Sequence, residues 1–402
     1  MKFLYKEFFD RALIEKIEKS CLELKDSIRK AAKRWGFLQI KSDDELTNYF
    51  KKQEGRWKRF VQVGMGGSVL GAQALCSFLG VPESKSVKFI DDIGDSFFSS
   101  TYSSETLYHI VSKSGSTTET IANFIHLINH LNKKQKEQII ISTGESGFLK
   151  EYADKHGIKR FLIPENVGGR YSLFSPVGMA VANFLGYDTE KLIEGARQAI
   201  KNLASEEPTF AYLFAVIASE FLKKGKSNLV LFCYSEKLLH CVYWFRQLWA
   251  ESLGKLVDKN GNRVRVGQTP IVARGASDQH SQLQLYREGP LDKLFCFIQG
   301  PVEKGEKLRI SPEFKQFDYL SERSLGEIKQ AEYEATKQTI AKDSPVVSIE
   351  VDSSSEYSFG LLTMNLMIAT AITGEILNID AFNQPGVELG KRLTKQILKN
   401  EI

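Results

Sequence analysis

From residue 60 onward, short runs rich in β-branched and aromatic residues alternate with stretches that have the spacing of amphipathic helices. Segments such as 72–79 and 121–131 carry apolar residues at helical intervals. Strands that alternate with helices indicate a parallel, doubly wound sheet. The strands predicted in this first alternation are residues 60–63, 87–91, 106–111, 138–142 and 160–163.

A second alternation follows a mainly helical stretch at 176–224. Its predicted strands are 228–233, 294–299 and 346–351, and its predicted helices are 236–253, 324–342 and 356–373. The first ~50 residues have helical spacing, and Pro385 suits the first turn of a last helix that ends near Lys399. We therefore predict an α/β fold with two parallel-sheet domains and helical segments at both ends. The predicted boundaries are 1–50, 51–190, 205–378 and 379–402.

The composition excludes several classes of protein. A chain of 402 residues can bury a large core without disulfides. Its net charge of +5 has no dense basic block, so we expect no nucleic-acid partner. Five cysteines with no C-x-x-C pair suit a reducing compartment. The N-terminus lacks the apolar core of a signal peptide, and the apolar run at 210–222 is too short to span a bilayer. We expect a cytoplasmic protein with no membrane association.

A glycine-rich turn directly follows the first predicted strand of the doubly wound pattern, with the sequence Val63-Gly64-Met65-Gly66-Gly67-Ser68. Glycines at such a turn allow a ligand to approach the backbone, and the helix N-terminus attracts anions. A dinucleotide site would need glycine where Val69 stands, although Asp91 and Asp92 end the next strand. The alternative interpretation is a tight turn that permits close helix packing.

A hydroxyl-rich segment joins the third predicted strand to a helix, with the sequence Ser112-Lys113-Ser114-Gly115-Ser116-Thr117-Thr118-Glu119-Thr120. A capping box between Ser116 and Glu119 would account for two of these residues. It leaves the other hydroxyls and Lys113 unexplained. Hydroxyl donors, a helix N-terminus and a lysine together suit a phosphate monoester. The segment lacks the G-x-x-x-x-G-K-[ST] pattern of nucleoside-triphosphate loops.

Three further segments carry candidate polar groups. Arg170 follows Gly168-Gly169, and a glycine pair before an arginine suggests a backbone that presents the guanidinium into a cleft. The alternative interpretation is a solvated loop arginine. His240, Gln247 and Glu251 on the predicted helix 236–253, and Lys255 just after it, form one stripe at helical spacing beside Trp244, which suggests a base that Trp244 partly desolvates. The alternative is an exposed stripe with a Glu251–Lys255 ion pair. His280 lies in a polar segment, and a lone histidine is usually structural.

The chain offers little for other chemistries. His126 and His130 lie four residues apart without a third zinc ligand, and the sequence has neither an H-E-x-x-H nor a G-x-S-x-G motif.

Taken together and in order, six sequence blocks resemble the glucose-6-phosphate isomerase family across residues 60–391. The blocks are V-G-M-G-G-S, S-K-S-G-S-T-T-E-T, V-G-G-R-Y-S, Q-L-W-A-E-S-L-G-K, D-Q-H-S and Q-P-G-V-E-L-G-K. The resemblance implies two sugar-isomerase (SIS) domains, each a three-layer α/β/α arrangement. It implies interconversion of glucose 6-phosphate and fructose 6-phosphate, a step of glycolysis and gluconeogenesis, without metal or cofactor. It also implies a homodimer with active sites at the subunit interface.

The resemblance further implies a role for each matching residue. Glu251 would move a proton between C2 and C1, and Arg170 would stabilise the enediolate. His280, from the neighbouring subunit, and Lys391 would assist ring opening. Gln247 and Gln384 would position the substrate. The residues implied in holding the sugar phosphate are Ser112, Lys113, Ser114 and Thr117, with Gly67 and Ser68 contacting the sugar beside it.

The sequence departs from the common pattern of the family at four positions. Ser114 and Ser116 replace threonines, and Asn383 replaces a frequent aspartate. Asp278 replaces a glycine, and its carboxylate is expected to favour the protonated form of His280.

Three alternative functions stay open at this point. One is a dual glucose/mannose-phosphate isomerase, and another is a non-catalytic SIS protein that senses sugar phosphates. The third is a nicotinamide dehydrogenase, which Val69 disfavours. A sensor would need the phosphate loop but not Glu251, Arg170 and His280.

Overall fold

The computed structural model describes residues 1–94, 98, 103–132 and 136–401. Two five-stranded sheets and one two-stranded sheet are built from its strands. In chain order the strands are β1 (Lys2–Leu4), β2 (Arg59–Val63), β3 (Ser86–Ile90), β4 (Thr106–Ser112), β5 (Ile139–Thr143), β6 (Lys159–Leu162), β7 (Asn228–Cys233), β8 (Lys255–Val257), β9 (Arg263–Val266), β10 (Thr269–Arg274), β11 (Lys293–Gln299) and β12 (Val346–Glu350).

Thirteen helices of more than three residues surround these sheets in the part of the chain that the structure describes, apart from an irregular 3₁₀ segment at Pro312–Leu320. They are α1 (Arg11–Ala32), α2 (Asp44–Lys52), α3 (Leu70–Leu79), α4 (Thr118–His130), α5 (Phe148–His156), α6 (Pro176–Leu185), α7 (Thr189–Asn202), α8 (Phe210–Lys223), α9 (Glu236–Leu253), α10 (Leu283–Glu288), α11 (Leu325–Ile340), α12 (Glu356–Ile376) and α13 (Glu388–Leu398).

The first large sheet has the order β3-β2-β4-β5-β6, and all its pairings are parallel. Every residue of β4 and β5 is buried, as expected for strands covered by helices on both faces. The five strands predicted for this half are confirmed, each with ends that differ by one residue at most. The parallel α/β class predicted from the alternation is confirmed as well.

The second large sheet has the order β1-β12-β11-β7-β10. Strands β7, β10, β11 and β12 are parallel, whereas β1 pairs with β12 in the antiparallel sense. The prediction that the first ~50 residues are helical is therefore wrong for Lys2–Leu4. Strand β10 was not predicted, because Pro270 weakens the strand pattern. Proline is tolerated there because β10 lies at the edge of the sheet.

The helical stretch predicted at 176–224 consists of three helices, α6, α7 and α8. Ser175 and Asp188 cap the first two with side-chain oxygens. Gly186 ends α6 in the left-handed conformation, with φ of 82°. These caps separate helices that hydrophobic spacing alone joins into one.

Helix α12 is the central helix of the fold and packs against α7 and α8. A Cβ atom on Gly360 would lie 2.0 Å from the Leu192 carbonyl oxygen, and one on Gly195 would lie 2.0 Å from that of Tyr357. The paired glycines therefore allow α7 and α12 to cross backbone to backbone. By length and composition α12 could also cross a membrane, but 83% of its most apolar window is buried inside the protein.

Candidate active site

The hydroxyl-rich loop lies where β4 ends and α4 begins. Ser112 Oγ is 2.9 Å from Thr117 Oγ1, and Ser114 Oγ is 3.4 Å from both of these oxygens. The turn depends on Gly115, because its φ of 65° is a value that residues with a side chain rarely adopt. The loop thus brings together three hydroxyls that the sequence assigned to phosphate.

Helix α4 starts one residue later than a capping box would require. Its N-cap is Thr117, and no side chain accepts a hydrogen bond from the first turn at that cap. The capping box between Ser116 and Glu119 is therefore not formed. The amide groups of the first turn keep their capacity to bind an anion.

Lys113 connects the hydroxyl loop to the segment that leads to Arg170. Its Nζ donates to the Glu165 backbone oxygen at 2.8 Å. Burial lowers the pKa of Lys113, and the nearby Glu165 carboxylate opposes this shift. The ammonium thus holds the hydroxyl loop against the chain that precedes Gly168.

The glycine turn after β2 supports the same site through close packing. A Cβ atom on Gly67 would lie 2.5 Å from the Gly169 carbonyl oxygen, and one on Gly66 would lie 2.5 Å from Gln247 Nε2. The Ser68 carbonyl accepts a 2.7 Å hydrogen bond from Gln62 inside the sheet. The turn therefore brings the ends of the first sheet against both the arginine segment and α9.

Arg170 is buried, with a side chain 2% exposed. Its Nη2 donates to the backbone oxygens of Ala381 at 2.7 Å and Asn383 at 3.1 Å. Its Nη1 donates to Gln384 Oε1 and lies 3.5 Å from Glu251 Oε2. The alternative of a solvated loop arginine is wrong, because every side of the guanidinium meets protein groups.

Glu251 lies in the last turn of α9, half-buried beside the guanidinium. Gln247 Nε2 donates to its Oε1 at 3.0 Å. Among the described residues, Gln247 Oε1 is buried and has no hydrogen-bond partner. This orphan acceptor and the Glu251 carboxylate are available to a polar ligand.

Two residues that the sequence analysis did not select hold Arg170 in place. Ser252 is fully buried and accepts from Arg170 Nε at 2.8 Å. The Tyr171 hydroxyl lies 3.1 Å from the same Ser252 oxygen, and burial raises the pKa of Tyr171 to about 12. The only hint in the sequence was that Ser252 stands next to Glu251.

The predicted polar stripe on α9 is partly wrong. His240 is exposed, and Trp244 lies in the core. Lys255 lies beyond the helix, at the start of β8, because α9 ends at Leu253. Its Nζ donates to the Glu251 backbone oxygen at 2.6 Å and to the Asn383 oxygen at 2.8 Å. The Glu251–Lys255 carboxylate ion pair is therefore not formed.

Among the described hydrogen bonds and ion pairs, neither His280 nor Lys391 contacts the Arg170–Glu251 cluster of its own chain. His280 is exposed after a short 3₁₀ turn, Ser277–Gln279. Lys391 Nζ forms a 2.7 Å ion pair with Glu388 on α13, and both side chains are more than 60% exposed. Of the predicted residues, one chain thus brings together Arg170, Glu251, Gln247 and Gln384, but not the two ring-opening residues.

Two of the departures from the family pattern have local partners. The Asp278 carboxylate accepts from the Arg274 amide at 2.7 Å and from the Ser281 hydroxyl. Although burial opposes it, these hydrogen bonds lower the pKa of Asp278. Asn383 Nδ2 donates to Asp380 Oδ2 at 2.7 Å, a bond that an aspartate at this position could not donate while ionised.

Metal ligands are not grouped in this site. In residues 1–94, 98, 103–132 and 136–401, no three His, Cys, Asp or Glu side chains lie close enough together to hold an ion.

Relatives of known name match most of the chain. A glucose-6-phosphate isomerase of Thermus thermophilus is 36% identical over 381 residues, which cover 90% of both chains. A probable glucose-6-phosphate isomerase of Haloarcula marismortui is 36% identical over 350 residues, covering 85% of this chain and 78% of its own.

Solved structures agree with the fold. A hypothetical protein of Thermus thermophilus superimposes with a TM-score of 0.90 at 33% identity, covering 98% of this chain and 99% of its own. A glucose-6-phosphate isomerase of Chlamydia trachomatis gives 0.84 at 20% identity, covering 99% and 88%. A putative phosphosugar isomerase of Clostridium difficile gives 0.51 at 13% identity, covering 94% and 97%, so the predicted SIS-type fold is confirmed. The phosphoglucose isomerase family model matches residues 44–401. The chain belongs to the phosphoglucose isomerase family.

Proposed function

We propose that this protein interconverts glucose 6-phosphate and fructose 6-phosphate, with Glu251 as the base and Arg170 as the group that stabilises the enediolate. The observation that carries the proposal is the buried Arg170 guanidinium 3.5 Å from the Glu251 carboxylate. A glutamate carboxylate is ionised at neutral pH and can accept a proton from carbon. The names of the relatives described above support the substrate pair.

The proposed step from fructose 6-phosphate begins with the open-chain ketose. Glu251 removes a proton from C1, the C–H electron pair forms a C1=C2 double bond, and the carbonyl electrons move to O2. The same carboxyl group returns a proton to C2, while the O1 proton is transferred to O2, so that C1 becomes the aldehyde carbon and O2 a hydroxyl. One base therefore serves both carbons, and the reaction is neutral in electrons and protons.

Arg170 contributes electrostatic stabilisation in this proposal. Its guanidinium is held by Ser252 and by two backbone oxygens, so it needs little rearrangement when charge develops on the enediolate oxygen. Gln247 Oε1, which is buried and without a partner among the described residues, would accept a hydrogen bond from a sugar hydroxyl.

The hydroxyl loop would bind the phosphate remote from the reacting carbons. Ser112, Ser114 and Thr117 offer three converging hydroxyls at the N-terminus of α4. Lys113 would add a positive charge near the loop. Gly67 and Ser68 would lie beside the sugar. Binding energy at the phosphate then fixes the position of C1 and C2 relative to Glu251.

Ring opening is assigned to His280 and Lys391, with His280 supplied by a second subunit. Two observations support the homodimer. Neither residue contacts the Glu251–Arg170 cluster of its own chain in the described hydrogen bonds and ion pairs. Helix α13, which carries Lys391, also exposes a row of apolar side chains, Leu389, Leu393 and Ile397. A second copy packed on this helix would cover that row.

The proposed compartment is the cytoplasm. The five cysteines, Cys21, Cys76, Cys233, Cys241 and Cys296, are all buried and unpaired, which suits a reducing environment.

The test is direct observation of the sugar phosphates. The purified chain is incubated with fructose 6-phosphate in D₂O with EDTA, and the products are followed by NMR. We expect glucose 6-phosphate with deuterium at C2, because the base exchanges its proton with solvent. Mannose 6-phosphate as a second product would favour the dual isomerase. Binding of fructose 6-phosphate without any turnover would favour the sensor and contradict the proposal.

A further inference from the structure

We propose that Lys255 is a positioning residue for this site: it ties the turn at 380–384 to the end of α9, and so holds Gln384 and Arg170 in place beside Glu251. The inference deepens the proposed function and rests on it, since it concerns the geometry of the same reaction. Lys255 itself lies behind Glu251 and is not assigned any contact with substrate.

The ammonium group of Lys255 bridges two segments that are far apart in sequence. Its Nζ lies 2.6 Å from the Glu251 backbone oxygen and 2.8 Å from that of Asn383. The Glu251 carbonyl belongs to the last turn of α9, where carbonyl groups lack partners within the helix. Because Lys255 is only 8% exposed, water does not easily replace it in this position.

The Asn383 backbone oxygen accepts two hydrogen bonds, because Arg170 Nη2 also donates to it, at 3.1 Å. The turn around it is closed by Asp380, which accepts from the Phe382 amide at 2.9 Å and from Asn383 Nδ2 at 2.7 Å. The next residue, Gln384, accepts from Arg170 Nη1. Lys255 and Arg170 therefore both bond to the same turn, and this turn carries Gln384.

The charges around Lys255 indicate that it contributes more to geometry than to folding free energy. Burial and the neighbouring Arg170 cation lower the pKa of Lys255 to about 8, while the Asp380 and Glu251 carboxylates act in the opposite direction. A partly buried cation beside another cation is costly for folding, and an apolar side chain of similar volume often removes that cost. Replacing Lys255 by methionine should thus disturb the site without unfolding the protein.

The test compares Lys255→Met with the parent and with a matched control, Lys259→Met. Lys259 lies four residues further on, and its ammonium group pairs with the Glu375 carboxylate rather than with residues 380–384. For K255M we expect kcat to fall about 10- to 100-fold, the range that a misplacement of about 1 Å produces. KM for fructose 6-phosphate should change less than about threefold, because the phosphate loop is untouched. K259M should behave as the parent.

A double-mutant cycle with Gln384→Ala separates positioning from a general structural role. If Lys255 acts through the turn, K255M costs much less in the Q384A background than in the parent. An undiminished effect of K255M in Q384A, or a K255M kcat equal to that of the parent, would overturn the inference. If K255M does not fold, Lys255→Gln, which removes the charge and keeps an amide donor, is measured in the same cycle.

Hydrogen exchange provides a readout that does not depend on turnover. Backbone amides of residues 380–384 should exchange faster in K255M than in the parent or K259M, because the turn loses one of the hydrogen bonds that hold it. Unchanged exchange there contradicts the positioning role. A parent without isomerase activity contradicts the proposed function instead, and the exchange experiment still decides the role of Lys255.

Discussion

The two large sheets have the same parallel core but differ in where polar side chains are buried within them. In the first, buried polar side chains run across three neighbouring strands: Gln62 on β2, His109 on β4 and Ser142 on β5. His109 Nε2 lies 2.7 Å from Ser142 Oγ. In the second, the inner strand β7 is apolar from Leu229 to Cys233, and buried polar side chains occur at the two ends of β11, Lys293 and Gln299, and at Ser348 of β12.

The sheets also contribute to the site in different ways. The first contributes a strand end, where β4 runs into the hydroxyl loop, whereas Glu251 comes from the far end of a helix that follows β7. In the proposed mechanism two similar sheets therefore have different roles: the first binds the substrate phosphate and the second supplies the base. Three substitutions test this division, in order of decreasing effect on catalysis or binding, and a fourth tests the polar interior of the first sheet through its stability.

The largest effect is expected for Glu251→Gln, which removes the base and keeps the shape of the side chain. General acid–base groups typically contribute 10²- to 10⁴-fold, so kcat should fall by about that factor. KM for fructose 6-phosphate should change little, because the hydroxyl loop belongs to the other sheet. Steady-state kinetics with a binding titration measure both. Retained turnover would remove the proton-transfer role from the second half of the molecule.

Arg170→Lys is expected to cost about 10²- to 10³-fold in kcat, the usual result of losing one preorganised donor to a developing oxyanion. Lysine keeps the charge but cannot reproduce contacts to Ser252, Ala381 and Asn383 at once. Arg170 stands at the junction of the two halves, so a smaller loss of substrate binding should accompany it. A variant with raised KM and parental kcat would place Arg170 with the binding half alone.

Ser112→Ala tests the binding half. The variant loses one hydroxyl that would donate a hydrogen bond to the charged phosphate. Such a bond contributes roughly 1.5–3 kcal/mol, so KM should rise about tenfold or more while kcat changes little. Ser116→Ala is the matched control in the same loop, since among the described residues its hydroxyl donates to a single partner, the Ser114 backbone oxygen, at 3.4 Å. Equal KM values in S112A, S116A and the parent would contradict the phosphate-loop assignment.

The polar interior of the first sheet predicts a loss of stability in acid. Burial lowers the pKa of His109 to about 3, against about 6.5 in an unfolded chain. Below pH 6.5 the unfolded chain therefore binds a proton that the folded chain excludes, and stability falls as the pH drops towards 3. His109→Asn should reduce this slope by about one proton, or about 1.4 kcal/mol per pH unit.

Urea unfolding between pH 4 and 7 measures the slope, with the exposed His156→Asn as control. Identical slopes for H109N and the parent would show that the two sheets do not differ in their sensitivity to acid.

The sequence predicted strands better where burial is complete. Strand β7 was predicted at its observed ends, because a run of apolar residues bounded by polar ones has few alternatives. Strands β1 and β10 were missed, because one is three residues long and the other contains Pro270. Edge strands pair on one side only, so their sequences carry a weaker signal.

The candidate site was predictable where its residues lie in contiguous motifs. The hydroxyl loop, the arginine after two glycines and Glu251 could each be selected locally. The bonds of Ser252 and Lys255 could not, because they reach Arg170 and Asn383, 82 and 128 residues away in the chain. Spacing alone made Lys255 a partner of the Glu251 carboxylate, whereas the end of α9 at Leu253 turns it towards a carbonyl.

Strand β1 has a consequence for the order in which the chain folds during synthesis. Residues Lys2–Leu4 pair with Ser348–Glu350, and the Met1 amino group lies 2.6 Å from the Asp352 carboxylate. The first sheet is complete once β6 has left the ribosome, whereas the edge of the second must wait until almost the whole polypeptide has been made. Contacts of such long sequence separation form slowly. Residues Lys2–Leu4 are therefore expected to be among the last parts to reach their final place, and proteolysis of arrested nascent chains would reveal it.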